Sequence, residues 1–328
     1  HWLAIALSPR GAIAASLQAQ RDLFIPLGIF MAAFIVLLVG WLSQRRLSPR
    51  AELALAVENR EFVVHYQPII ALATGICVGA ECLVRWQRPD GTLVNPDLFV
   101  PLAEHSGLIE PITDQVIAAV VADMGPLLTS DRSLHFAINL PPSDMVSGRF
   151  LGVLERALRG TGIRTNQIWL EATERGFMDV EAARTHIASA RQAGHSVAID
   201  DFGVGYSSLQ YLQQLPLDAL KIDKSFIDTI GLDAATSAVT PHIIDMAQSL
   251  GLLIVAEGIE TSAQLDYLVE RGVGYGQGWL FSRPLPRDAY IAFHQQRQEQ
   301  FGRAPEDMQN RRDGASAAGS SRASSPHS

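Results

Sequence analysis

At 328 residues the chain has room for one large domain or two ordinary ones, and a hydrophobic fraction of 48% is ample for a full core. The net charge of -8 excludes a general binder of polyanions, so neither DNA nor RNA is expected as a partner. Cys77 and Cys82 stand five residues apart in a strand-like run, where alternation turns them to opposite faces. No disulfide is therefore expected between them, and free thiols suit a reducing cytoplasm.

The chain opens on His1 rather than Met, which is the expectation for a piece of something longer. Residues 23–42, LFIPLGIFMAAFIVLLVGWL, carry no charge, and at about 1.5 Å per residue they span about 30 Å, the thickness of bilayer hydrocarbon. A core helix rarely stays apolar on every face for this length, and Trp41 suits an interfacial anchor. We therefore expect a transmembrane helix over 23–43. Arg45, Arg46 and Arg50 follow it, so the positive-inside bias puts the remainder in the cytoplasm, as a membrane-tethered cytoplasmic domain. Residues 1–22 are then an extracytoplasmic remnant, 44–51 a juxtamembrane linker, 52–297 the main domain and 298–328 a disordered tail. From about 303 the tail has too few large apolar residues to offset chain entropy.

Strand-like runs at 62–70, 76–86, 134–140, 166–172, 196–201, 217–223, 252–257 and 275–281 alternate with apolar helical periodicity at 111–124, 150–159, 179–193, 236–250 and 261–271. The first two runs are joined by ALATG, which is too short for a crossover and reads as a hairpin. The pattern predicts an α/β fold, a TIM-like (β/α)8 barrel with one antiparallel strand. A doubly wound open sheet is the alternative, weakened because no glycine-rich dinucleotide fingerprint follows the first strand.

Nearly every strand carries a polar residue toward its C-terminal end: Glu81, Asn139, Glu171 (with Glu174 in the loop beyond), Asp200 and Asp201, Lys221 and Asp223, Glu257, and Gln277. Each alone reads as a cap or a solvated side chain. In a barrel these ends converge on one face, and so many carboxylates around one lysine require a compensating charge. Oxygen donors without a His or Cys cluster favour Mg²⁺ or Mn²⁺, with Ca²⁺ a competitor, and the two adjacent aspartates leave room for two ions. Metal-assisted hydrolysis of a phosphate ester is the chemistry this set points to, with Lys221 a positive partner for water or phosphate.

The segments ECLVRW (81–86), INL (138–140), LEATE (170–174), DDFGVGYSSL (200–209), LKIDKSFI (220–227), VAEGIE (255–260) and YGQGWLFSRPL (275–285) resemble those of the EAL-domain cyclic di-GMP phosphodiesterases, as do YQPI at 66–69 and FVPLAEHSGLI at 99–109. The resemblance runs from about 52 to 295. It implies a barrel that hydrolyses cyclic di-GMP to linear pGpG and lowers this second messenger in bacterial signalling. By motif position it implies Glu81, Asn139, Glu171 and Asp200 as ligands of one Mg²⁺ or Mn²⁺, and Asp201 as serving a second. It also implies that Glu257 and Lys221 complete the catalytic centre, Glu257 near the metals and Lys221 at the hydrolytic water. Gln277 is implied in the second-metal or water network. Gln67, Leu83 and Arg85 are implied in substrate contacts. Gly203, Gly205, Tyr206 and Ser207 resemble the loop that couples the second metal to a homodimer, with Glu174 as its anchor.

Two positions depart from the family pattern: Cys82 replaces the signature Ala, and Pro141 stands where Ser often follows INL. The acidic set, Lys221 and Gln277 are intact, which favours an active enzyme over a catalytically silent cyclic di-GMP receptor. A different oxygen-ligand metalloenzyme on the same barrel is the third reading. A membrane helix ahead of such a domain resembles the subgroup with a periplasmic CSS-type sensor, although no Cys-Ser-Ser segment is present.

Overall fold

A computed structural model describes residues 10–44, 48–177, 179–203, 212–231 and 239–305. The chain divides into two compact units, residues 1–52 and 53–328. The first is dominated by α1 (Arg10–Gln44), which begins well before the expected start at 23. Its Gln20–Val39 stretch has mean hydropathy 2.5 and none of it is buried, so it is long and apolar enough to cross a membrane.

The second unit is introduced by α2 (Pro49–Glu58) and the hairpin β1 (Phe62–Ala71) and β2 (Cys77–Gln87). A two-residue strand β3 (Leu93–Val94), α3 (Pro96–Ser106) and α4 (Ile109–Ser130) follow. Next come β4 (His135–Asn139), α5 (Pro142–Ser147), α6 (Arg149–Leu158), β5 (Ile168–Thr173), α7 (Val180–Gln192) and β6 (Ser196–Phe202). The described chain ends through β7 (Ala219–Ile222), α8 (Lys224–Ile227), α9 (Val239–Ser249), β8 (Leu253–Ala256), α10 (Ser262–Glu270), β9 (Tyr275–Gly276) and α11 (Arg287–Phe301).

Eight strands close on themselves in the order β1-β9-β8-β7-β6-β5-β4-β2, with β2 returning to β1 and β3 attached outside β2. The seven from β2 to β9 in this ring run parallel, and β1 is antiparallel to both its neighbours. Closure removes the open-sheet alternative and yields the expected barrel with one antiparallel strand. Strand alternation sends Phe136, Ile138, Leu170, Val197, Ile199, Leu220, Ile222 and Ile254 outward into one core with the coating helices. α4 is as apolar as a membrane span over part of its length, yet it lies partly buried on this core and ends at Ser130, beyond the expected 124.

Three local features depart from the sequence reading. The hairpin has a bulge: Ile69 faces Gly79, but Ile70 faces Cys77, so one extra residue resets the alternation. Cys77 and Cys82 consequently share the outer core instead of opposite faces, and both remain free thiols. The last strand stops at Gly276 rather than 281, and the chain turns immediately beyond it. Finally, α11 passes the boundary set at 297 and ends at Phe301, because Tyr290 and His294 bury one side of an otherwise polar helix. Residues 306–328, most of the expected tail, lie outside the described residues, as do 45–47 of the linker.

Candidate active site

Alternation that sends Ile138, Leu170, Ile199 and Leu220 outward sends their neighbours Asn139, Glu171, Asp200 and Lys221 inward, at the C-terminal ends of β4 to β7. Glu81 enters from the middle of β2, and Glu257 and Gln277 follow directly on β8 and β9. Lys221 is the hub, with 1% of its side chain exposed. Its Nζ lies 2.6 Å from Glu257 Oε1, 2.9 Å from Glu171 Oε2, 3.1 Å from Asp200 Oδ1 and 3.3 Å from Glu81 Oε2. Asn139 Nδ2 donates to Glu81 Oε1 at 2.9 Å, and Gln277 Nε2 donates to Glu81 Oε2.

One ammonium cannot hold four buried carboxylates in the charged form. Glu81 wins the competition: burial alone raises its pKa, but Lys221 and the amides of Gln277 and Asn139 outweigh that and leave it low. Burial pushes Glu171 and Asp200 up, against Lys221, with the neighbouring carboxylates adding to the rise. Glu257 is pushed up to about 8, first by burial and then by Asp200 and Glu81 despite its contact with Lys221. Burial opposes the Lys221 charge, but the carboxyl groups of Asp200, Glu171, Glu257 and Glu81 around it raise its pKa well above the ordinary range.

Asp201 answers why two aspartates stand together. Regular alternation would turn it away from Asp200. Instead the β6–β7 register shifts between Ile199 and Phe202, and Asp201 takes φ +53°, a left-handed conformation that strains a residue with a Cβ. This brings carboxylate oxygens of Asp200, Asp201 and Glu257 within 4.8 Å of one another, beside a second group of Glu81, Glu171 and Asp200. Burial, Asp200 and Asp223 push Asp201 up to about 6.

The donor set fits hard divalent cations. It is composed of oxygens, Asp200 belongs to both groups, and Gln277 Oε1 is buried without a hydrogen-bond partner. A cation supplies what these atoms lack: a partner for the amide oxygen and charge to offset carboxylates in excess of one lysine.

A model of the EAL domain matches residues 50–284. The chain belongs to the EAL family. It is 44% identical over 277 residues to the probable cyclic di-GMP phosphodiesterase PdeB of Escherichia coli K12, covering 84% of this chain and 53% of PdeB. It is 40% identical over 253 residues to the cyclic di-GMP phosphodiesterase NbdA of Pseudomonas aeruginosa PAO1, covering 76% of this chain and 32% of NbdA. The chain thus spans about half or less of the length of these two relatives. The structure of the PaMucR phosphodiesterase in complex with c-di-GMP superposes with TM-score 0.70 at 35% identity, covering 74% of this chain and all of that one. EAL domains are metal-dependent, in keeping with the acidic groups described above.

Elsewhere in the EAL domain, Gln67 faces Glu81 directly across the β1–β2 ladder, and alternation puts Leu83 and Arg85 on the Glu81 side of β2. Arg85 is half-buried, donates to the Val84 carbonyl at 2.8 Å, and has its pKa drawn down by burial against the pull of Glu81 and Asp97. Glu174 Oε1 accepts from Gly203 N at 2.9 Å, which ties the end of β6 to the turn after β5. Gly203 has φ +98° and a Cβ there would lie 2.7 Å from the Phe226 ring, so the position requires glycine. Gly205, Tyr206 and Ser207 lie outside the described residues. Pro141 takes φ -69° and starts α5 while Leu140 N bonds Glu171 O, so the proline costs no strand hydrogen bond beside Asn139. Sequence reasoning missed the Lys224 ammonium, which bridges Asp228 at 2.7 Å and Glu260 at 2.8 Å and joins the loops after β7 and β8. The charge alternation of KIDKSFID was the available signal.

Proposed function

We propose that the barrel hydrolyses cyclic di-GMP to linear pGpG, with Mg²⁺ or Mn²⁺ held by Glu81, Asn139, Glu171 and Asp200, and by Asp200, Asp201 and Glu257. The observation that carries this reading is the five-carboxylate, one-lysine cluster at the C-terminal mouth, in a chain this similar to cyclic di-GMP phosphodiesterases. Divalent ions at such a site neutralise phosphate charge and acidify water. The chain's own residues do the rest. Arg85 grips a phosphate or guanine edge with paired donors, and Gln67 and Leu83 orient the nucleotide. Lys221 stays protonated and donates to the attacking water or a phosphate oxygen. Glu257, adjacent to Lys221, accepts the water's proton. Water adds to phosphorus, the bond to the 3′ oxygen breaks, and that oxygen takes a proton to leave a free 3′ hydroxyl and a 5′ phosphate. Gln277 holds Glu81 and the water network, the Glu174–Gly203 bond fixes the end of β6, and Gly205, Tyr206 and Ser207 are proposed to take part in coupling the site to a homodimer.

We further propose that the chain is tethered in a bacterial inner membrane with the EAL domain cytoplasmic and downstream of a sensor; the length and hydropathy of Gln20–Val39 support the tether. Incubating the full chain in detergent with cyclic di-GMP and Mg²⁺ or Mn²⁺ is expected to yield pGpG. Binding without product under every metal condition favours the silent receptor and sinks the enzyme reading. Equal specific activity in dilute monomer and in dimer removes the coupling.

A further inference from the structure

We infer that Trp279 and Arg283 form a stacking platform for one guanine base of the substrate; this rests on the cyclic di-GMP reading of the site. Trp86 and Trp169 are buried, whereas Trp279 is 55% exposed. A large aromatic ring left in water loses burial free energy and marks a contact surface where it borders a cleft. Trp279 stands two residues past Gln277, hence within about 7 Å of chain reach from the residue that bonds Glu81. It lies on the turn that follows β9, at the end of the barrel where the carboxylates gather.

The ring is presented on a braced segment. Ile259 N donates to Gln277 O at 3.1 Å, Leu280 N donates to Ile259 O at 2.9 Å, and Phe281 N donates to Gly278 O at 3.1 Å. Gly278 presses so closely on Ile259 that a Cβ would lie 2.2 Å from its backbone N and O, which locks the approach. The Arg283 guanidinium sits 4.1 Å from the Trp279 ring centroid and fixes the plane of the indole. A substrate phosphate at the carboxylate cluster needs a site for its base about one nucleotide away, and we assign that site to this indole. Every nucleobase has a π-face for such a ring, and the adjacent cation strengthens the stack and offers donors to a guanine edge.

The test uses the full chain in detergent with Mg²⁺ and cyclic di-GMP. Stopped-flow mixing reads a rapid quench of tryptophan fluorescence in the wild type, and Trp279→Phe removes that quench. Trp279→Ala raises KM about tenfold, Trp279→Phe less than about threefold, and Arg283→Met about threefold. An unchanged quench in Trp279→Phe, or equal KM in Trp279→Ala and wild type with pGpG still formed, overturns this inference and leaves the proposed function standing. No pGpG from the wild type overturns both.

Discussion

The barrel interior holds two layers two residues apart on the same strands, and they are opposites. The lower layer packs Ala137, Trp169, Ala198 and Ala219, all buried, with the His135 ring stacked on Trp169 at 4.2 Å. One step up, Asn139, Glu171, Asp200 and Lys221 replace these with charge and amide. The lower layer gains dispersion and apolar burial that outweigh one unpartnered donor, Trp169 Nε1, and it holds no charge to offset. The upper layer buries anions in excess of its single ammonium, so it opposes folding until cations arrive. Stability therefore resides below and in the helix coat, and chemistry resides above.

The sharpest separation of the layers is Glu81→Gln. We expect phosphodiesterase activity to fall about 10³-fold or more, because one carboxylate of the Glu81, Glu171 and Asp200 group is lost. Urea unfolding in EDTA should shift by less than about 1 kcal/mol, since the substitution also removes a buried charge. A large loss of metal-free stability would show that the upper layer holds the fold together. The converse change is Trp169→Ala, expected to cost about 3 kcal/mol in urea unfolding for the cavity it leaves. Activity per folded molecule should stay within about twofold, and a tenfold fall would show that the lower layer sets the geometry above it.

Proton linkage distinguishes the layers with a smaller effect. Glu257 is raised from 4.5 to about 8 in the folded chain, so the unfolded chain ionises first and metal-free stability is lost as pH climbs between those values. Asp201, raised from 3.8 to about 6, has the same sign and is complete above 6. His135, held down from 6.5 to about 4 by burial in the lower layer, has the opposite sign and is complete above 6.5. Between pH 6.5 and 8 His135 no longer opposes the trend, and the loss at Glu257, on the order of 2 kcal/mol, is joined by the raised Glu171 and Asp200. Thermal unfolding in EDTA should follow it, and Mg²⁺ or Mn²⁺ should widen its stabilising margin over the same range as ions replace protons. A flat metal-free profile would remove the charge conflict on which the comparison rests.

The upper layer was legible in the sequence; the lower one was not, because its small apolar residues look like any others in an apolar strand. The strands, the hairpin and the polar residue at each strand end follow from period and position, so Glu81, Asn139, Glu171, Asp200, Lys221 and Glu257 emerge on one face by alternation alone. Bulges break that rule and leave no local mark. Asp201 needs the register shift beside Ile199, and Cys77 needs the one beside Ile69, before either side chain can be placed. α3 was hidden by Pro101 inside it and α11 by polar residues on most faces, and both are held by a few buried contacts such as Phe99 and Tyr290. The Trp279–Arg283 pair has no periodicity to betray it, because it comes from a turn braced on another loop.

The smallest test compares neighbours in one strand. Glu81 and Cys82 differ by one residue and face opposite sides of β2, with Cys82 2% exposed among the outer core residues near Tyr66. Burial raises its thiol pKa well above the ordinary range, so it stays neutral and serves as a small apolar group. Cys82→Ala, the residue of the family signature, should cost about 1 kcal/mol or less and leave turnover within about twofold. Steady-state kinetics together with urea unfolding reads both. A tenfold fall in turnover with unchanged stability would mean that packing behind β2 sets the reach of Glu81 into the cluster, and that the wall between the helix coat and the site transmits force rather than separating two environments.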